Sequence, residues 1–224
     1  MFIELSYPID TNIKAELLTS VDEPKVIARS RIKNGDSSNT SYIYIYAHHG
    51  THIDTPWHFN DSRGYSIMDF GISDFIFEKV LLIQIQKENY EPITRDELEK
   101  YSANLAVCDA ILIFTGFSMF REKSPSYYFE DTPGFTEKAA EYLSKFKNIK
   151  CIGFDFISVE NIPRNRIKNY PIHNILLSRE TPLLIIEDVN LRGIIQKNIK
   201  RLFVIPIRIH GAEASPVTVF AEAV

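Results

Sequence analysis

Residues 48–58 read His48-His49-Gly50-Thr51-His52-Ile53-Asp54-Thr55-Pro56-Trp57-His58, and no other stretch restricts the chain as tightly. Of the six histidines in the sequence, four fall inside this segment. Gly50 and Pro56 oppose a continuous helix here, one through backbone entropy, the other through its missing N–H and ring clash. The segment is therefore predicted to be a strand that runs into a turn. His48, His52, Asp54 and His58 are all even-numbered, so an extended chain projects them to one side. Three imidazoles and a carboxylate then converge, and burying them without an ion would require a polar partner for each. Imidazole with carboxylate and no thiolate suits zinc, manganese or iron. The two oxygens of Asp54 can each bind a different ion. His49 points the other way and is expected to be a core or supporting histidine.

A metal site commonly collects a further His or carboxylate from remote sequence. His173 lies in Tyr170-Pro171-Ile172-His173, and His210 in His210-Gly211-Ala212-Glu213. Glu187 ends the apolar run Leu183–Ile186, an odd place for a charge without a partner, and Asp188 follows it. Asp155 is a fifth candidate. The residue pattern alone does not choose among them.

The frame around the cluster is that of a soluble protein. Its 224 residues suffice for a substantial core. A formal charge of -4 offers no basic face to nucleic acid. Cys108 and Cys151 sit near apolar runs and outside any CxxC, which predicts buried thiols and an intracellular setting. No run approaches the ~18 apolar residues of a membrane span, and Met1–Leu5 lacks the features of a secretory signal. A cytoplasmic location is expected, with a small-molecule substrate and neither nucleic acid nor membrane as partner.

Strands are predicted at Ser41–Ala47, Lys79–Gln86, Ala110–Thr115, Lys150–Phe154, Leu183–Ile186 and Arg201–Ile209, with a polar turn over Lys33–Thr40. Helices are predicted at Thr94–Tyr101 and Thr136–Phe146, the second capped by Thr136, with shorter ones at His173–Ser178 and Asn190–Gln196. Strands and helices mix along the whole chain, which indicates an α/β or α+β domain spanning 1–224.

The pattern HxGTHxDxPxH, here His48 to His58, resembles the signature of the cyclase family of metal-dependent hydrolases, which includes bacterial kynurenine formamidases and isatin hydrolases. The resemblance continues in Phe114-Thr115-Gly116-Phe117, in Pro133-Gly134-Phe135-Thr136 with Ala139-Ala140, and in Gly153-Phe154-Asp155-Phe156-Ile157-Ser158-Val159. It extends through Pro171-Ile172-His173, Ile186-Glu187 with Asn190-Leu191, and Gly211-Ala212-Glu213-Ala214-Ser215-Pro216. It implies a swivelling β/β/α-type α/β domain, with a mixed β-sheet core and flanking helices, in a homodimer or homotetramer. It implies His48, His52, Asp54, His173 and Glu187 as metal ligands for two divalent ions, zinc first and manganese second, with Asp54 and Glu187 bridging. It also implies His58 as the acid/base and hydroxide generated at the metal, cleaving the amide of a small molecule. An N-formylkynurenine-type formamide is the default substrate. An isatin-like lactam or another cyclic amide or ester is the alternative, and a metal-holding binding protein without turnover stands behind both.

Overall fold

A computed structural model describes residues 1–9, 23–62, 64–165 and 168–224. The chain opens with strand β1 (Phe2–Glu4), then an antiparallel ribbon of β2 (Lys25–Ser30) and β3 (Thr40–Tyr44). The turn predicted between Lys33 and Thr40 is the link in that ribbon, and β3 covers the first part of the strand predicted at Ser41–Ala47, whose end at Ala47 is a turn. The motif follows as β4 (His52–Asp54) and a 3₁₀ turn at Pro56–His58. Next come β5 (Ile76–Phe77), β6 (Val80–Gln84), helices α1 (Arg95–Glu99) and α2 (Ser102–Leu105), and β7 (Ala110–Phe114). Helices α3 (Phe120–Lys123), α4 (Pro125–Glu130) and α5 (Glu137–Leu143) lead into β8 (Cys151–Phe154). Helices α6 (Ile162–Asn165) and α7 (Pro171–Leu177) precede β9 (Leu184–Glu187), β10 (Ile199–Pro206) and β11 (Ala214–Ala223).

Among the described residues, nine strands form one mixed sheet in the order β5-β10-β11-β4-β9-β8-β7-β6, with β1 added beside β11. Strands β6 to β9 are parallel, and β4 runs antiparallel to both β9 and β11. The parallel strands read as continuous apolar runs because both of their faces are covered. In β7, Ile111 and Ile113 join the helix-side core with Leu143 and Leu176, whereas Ala110 and Leu112 join the opposite core with Leu202 and Val219. Fully burying each such isoleucine contributes about 1.5–3 kcal/mol. Cys108 and Cys151 are buried free thiols in these layers, as their surroundings in the sequence predict. The mixed sheet with flanking helices is the α/β architecture expected above.

Thr94 and Thr136 cap α1 and α5 by accepting the amides of Glu97 and Ala139. The helix predicted over Asn190–Gln196 is instead a single 3₁₀ turn at Arg192–Ile194. Gly193 is a poor helix former, and it lies so close to β1 that an added Cβ would stand 3.1 Å from Ile3 Cγ2. Strand β11 was not predicted, yet it is the seam of the sheet. Its first residues pair with β4, its later ones with β10 and β1.

Candidate metal centre

Strand β4 sets the centre. His52 and Asp54, two residues apart, project to the same face of the strand, and His52 stands opposite Glu187 of β9. All three lie on the face where Ile185 packs against the helices. From there α7 brings His173, and the 3₁₀ turn after β4 brings His58. His48 arrives differently from the prediction. It occupies a turn rather than the strand, and the chain reaches β4 only through Gly50, whose φ of 63° suits glycine.

The distances show a split arrangement. His48 Nδ1 and His52 Nε2 lie 2.9 and 3.4 Å from Asp54 Oδ1, whereas His173 Nε2 lies 4.0 Å from Asp54 Oδ2. Glu187 repeats the pattern, with Oε2 3.5 Å from His52 Nε2 and Oε1 3.5 Å from His173 Nε2. Each carboxylate thus turns one oxygen to His52 and the other to His173. His52 fixes its own ring by placing Nδ1 2.9 Å from the Gly50 carbonyl, which leaves Nε2 facing inward. Asp54 Oδ2 and His52 Nε2 are buried without a hydrogen-bond partner, and Asp54 Oδ1 meets His48 Nδ1 at 2.9 Å without hydrogen-bond alignment. Such inward-facing orphans would cost about 1–3 kcal/mol each, and a divalent cation satisfies all of them. His48, His52 and Asp54 can close around one ion; Asp54, His58 and His173 form a second group of the same kind. The residues therefore fit a divalent metal centre.

The remaining candidates are committed elsewhere. Asp188 has φ 56° and turns away from the centre, where Arg121 and Tyr128 hold its carboxylate. Asp155 accepts from the Thr115 and Gly116 amides and from the hydroxyls of Thr115 and Ser118, shaping the loop after β7. His210 is exposed. His49 leans towards Arg121 and Asp188, and burial lowers its pKa. Thr51 donates to the Asp188 carbonyl at 2.7 Å and accepts from the Tyr7 amide, which ties the start of β4 to the chain beyond Glu187.

Three neighbours were not singled out from the sequence. Glu213 places Oε1 3.2 Å from His48 Nε2. Phe59 stacks on His173 with ring centroids 4.5 Å apart. Glu160 is fully buried beside His173. No pattern in the sequence marks Glu160, which follows the mixed stretch Phe154-Asp155-Phe156-Ile157-Ser158-Val159.

Electrostatics suit cation binding. Burial would raise the Asp54 carboxyl, but the His48 and His52 imidazoles hold it well below the usual carboxylate range. Burial would lower His52, yet Asp54 and Glu187 outweigh it and lift the ring to about 9. His173 is likewise lifted against burial to about 9 by Glu160, Glu187 and Asp54. His58 shows the opposite balance, and burial brings it down to about 4. Without an ion, His52 and His173 hold their protons at neutral pH, and an entering cation must displace them. Zinc added at about pH 7 to chelator-treated protein is therefore expected to release protons, read with an indicator dye in weak buffer. The apparent affinity should climb as pH rises towards 9, because proton competition fades. An affinity independent of pH would contradict these protonation states.

The putative cyclase family model matches residues 3–161, and the chain belongs to this family. It is 27% identical over 216 residues to a kynurenine formamidase of Bacillus cereus, covering 96% of this chain and 94% of that one. It is also 27% identical over 216 residues to cyclase-like protein 2 of Oryza sativa subsp. japonica, covering 92% and 74%. In fold it is similar to isatin hydrolase A from Labrenzia aggregata bound to benzyl benzoate. The TM-score is 0.81 at 19% identity, over 99% of this chain and 93% of that one. No helix among the described residues is long and apolar enough to cross a membrane.

Proposed function

We propose that this protein is a cytoplasmic metal-dependent hydrolase that cleaves the amide bond of a small molecule, an N-formylkynurenine-type formamide being the first substrate to test. The observation that carries the reading is the split arrangement of Asp54 and Glu187, each with one oxygen towards His52 and the other towards His173. In this reading His48, His52 and Asp54 would hold one ion and His173 and Glu187 would complete a second position, with Asp54 and Glu187 presenting an oxygen towards each. Zinc is the first choice and manganese the second, since both accept imidazole and carboxylate.

Divalent ions held there supply Lewis acidity towards a carbonyl oxygen and lower the pKa of water to about 7. The protein's own groups do the rest. Asp54 and Glu187 offset part of the cations' charge. His58, brought down to about 4 by burial, is a neutral base at physiological pH. It takes up at a ring nitrogen the proton lost by the water that adds to the carbonyl carbon, and delivers it to the departing nitrogen as the C–N bond breaks. Phe59, packed between His173 and Tyr170, keeps one wall of the centre apolar and sheds water from it.

The relationship to a kynurenine formamidase supports a formamide substrate. The fold shared with an isatin hydrolase supports an isatin-like lactam, or another cyclic amide or ester, as the second substrate class. A homodimer or homotetramer belongs to the same reading. It is supported by the β2–β3 ribbon, where Val26, Ile27, Tyr42, Ile43 and Tyr44 are all exposed; a two-stranded ribbon is marginal in water without further packing.

The test is a metal analysis of protein grown with zinc and manganese, followed by turnover on formamides, lactams and lactones. Stoichiometric metal, with activity abolished by chelator and restored by the ion, is the expected result. Protein without bound metal would sink the reading. Metal without turnover across the panel would favour a binding role.

A further inference from the structure

We infer that Glu160 is the positioning residue of His173: its carboxylate takes the Nδ1–H of the imidazole and so commits Nε2 to the centre. The inference rests on the proposed metal-binding role of His173. Glu160 lies in the loop between β8 and α6 and is fully buried. Its Oε1 accepts the amides of Ile172 and His173 at 2.7 and 3.1 Å. These amides open α7, and its N-cap residue, Tyr170, provides no side-chain cap. Glu160 therefore does from a distance what a local Ser or Asp usually does. One carboxylate fixes both where the helix starts and how far His173 reaches into the centre.

The same oxygen lies 3.5 Å from His173 Nδ1, longer than a formed hydrogen bond. Two atoms are left over at this place, Glu160 Oε2 and His173 Nδ1, both buried and both without a hydrogen-bond partner. They lie on neighbouring groups, and each is the counterpart the other lacks. A small rotation of the carboxylate or the ring joins them and removes two desolvation penalties of about 1–3 kcal/mol each. The opposite ring nitrogen already faces the bridging carboxylates, with Nε2 3.5 Å from Glu187 Oε1. A proton held on Nδ1 leaves the Nε2 lone pair available to an ion, and the adjacent negative charge makes the ring a stronger ligand. His52 is fixed in the same tautomer by the Gly50 carbonyl; His173 has a carboxylate for that purpose.

The discriminating substitution is Glu160→Gln. Glutamine keeps an oxygen for the two α7 amides, so the helix start is preserved while the charge is removed. A merely structural role would leave metal binding as it was. Zinc titration of the full chain against a chromophoric chelator is expected to show at least one bound ion weakened about 10–100-fold in Glu160→Gln, with the melting temperature of the chelator-treated protein close to the parent's. In the zinc-loaded parent, the Nδ1–H resonance of His173 should lie downfield in ¹⁵N-resolved spectra and move upfield in the variant. Unchanged zinc affinity in Glu160→Gln overturns the inference, as does ligation of His173 through Nδ1. A parent that binds no zinc overturns the metal-centre reading itself, and the inference with it, so the two failures are distinct.

Discussion

Replacing His58 by asparagine is expected to lower turnover about 10²–10⁴-fold, the usual contribution of a positioned acid/base, while the protein keeps its metal. Asparagine retains polarity and approximate size at the end of the 3₁₀ turn, but it cannot carry a proton at neutral pH. His58 is packed against His48, with ring centroids 4.1 Å apart, and lies 5.8 Å from His173. That position gives the test its edge. Geometry also lets His58 join Asp54 and His173 around an ion. Measuring metal content beside kcat separates the two roles. Loss of activity with full metal supports the proton carrier, loss of both makes His58 a ligand, and activity within about threefold of the parent removes it from the chemistry.

The second large effect is on stability. Asp188→Ala should destabilise the fold by about 3–5 kcal/mol, the cost of removing one member of a buried ion pair. Arg121 donates through Nε to both Asp188 oxygens at 2.9 Å, and Tyr128 adds its hydroxyl at 2.7 Å. Without Asp188 the guanidinium and the phenol lose a shared acceptor in a site where only Arg121 reaches solvent. Asp188 also holds a φ of 56°, a conformation that aspartate tolerates better than alanine because its short polar side chain can hydrogen-bond locally. For a chain of this size a loss of 3–5 kcal/mol corresponds to a fall in melting temperature of roughly 6–20 °C. The contrast is Glu187→Gln, which changes a side chain facing the centre and should reduce bound metal rather than chiefly the melting temperature. If Asp188→Ala loses its metal while melting like the parent, the two neighbours have been assigned the wrong way round.

That pair also shows where reading the sequence stops. Period-2 alternation in β9 sends Leu184 and Ile186 to one core and Ile185 to the other. It would then send Glu187 and Asp188 to opposite faces, but both faces are buried, so neither residue is marked as the inward one. What decides is β4 pairing in register opposite Glu187 and the positive φ at Asp188, both products of the tertiary fold. The parallel strands were legible because burial on two sides leaves an uninterrupted apolar run. Strand β11 was not. Its inward positions include the small Ala221 and Ala223, and Pro216 removes an amide donor within it. Its existence depends on partners that lie far away in the sequence. In the centre, His52 and Asp54 followed directly from spacing along a strand. His48 converges too, but from a turn, and Glu160 and Glu213 carried no spacing signal at all.

The seam made by β11 has a consequence for how the protein reaches its native state. Strand β4 holds His52 and Asp54, and it is flanked by β9 and by the start of β11. Neither neighbour is close to it along the chain. The chain must therefore close long loops before these pairings repay the lost entropy, and topologies of this kind fold slowly. The whole centre does not exist in any short fragment, because Glu187 and His173 join His52 and Asp54 only through long-range packing. A cation that recognises only the assembled centre consequently pulls the folding equilibrium towards the native state by mass action. The centre thereby acts as a latch on the fold as well as a place for chemistry.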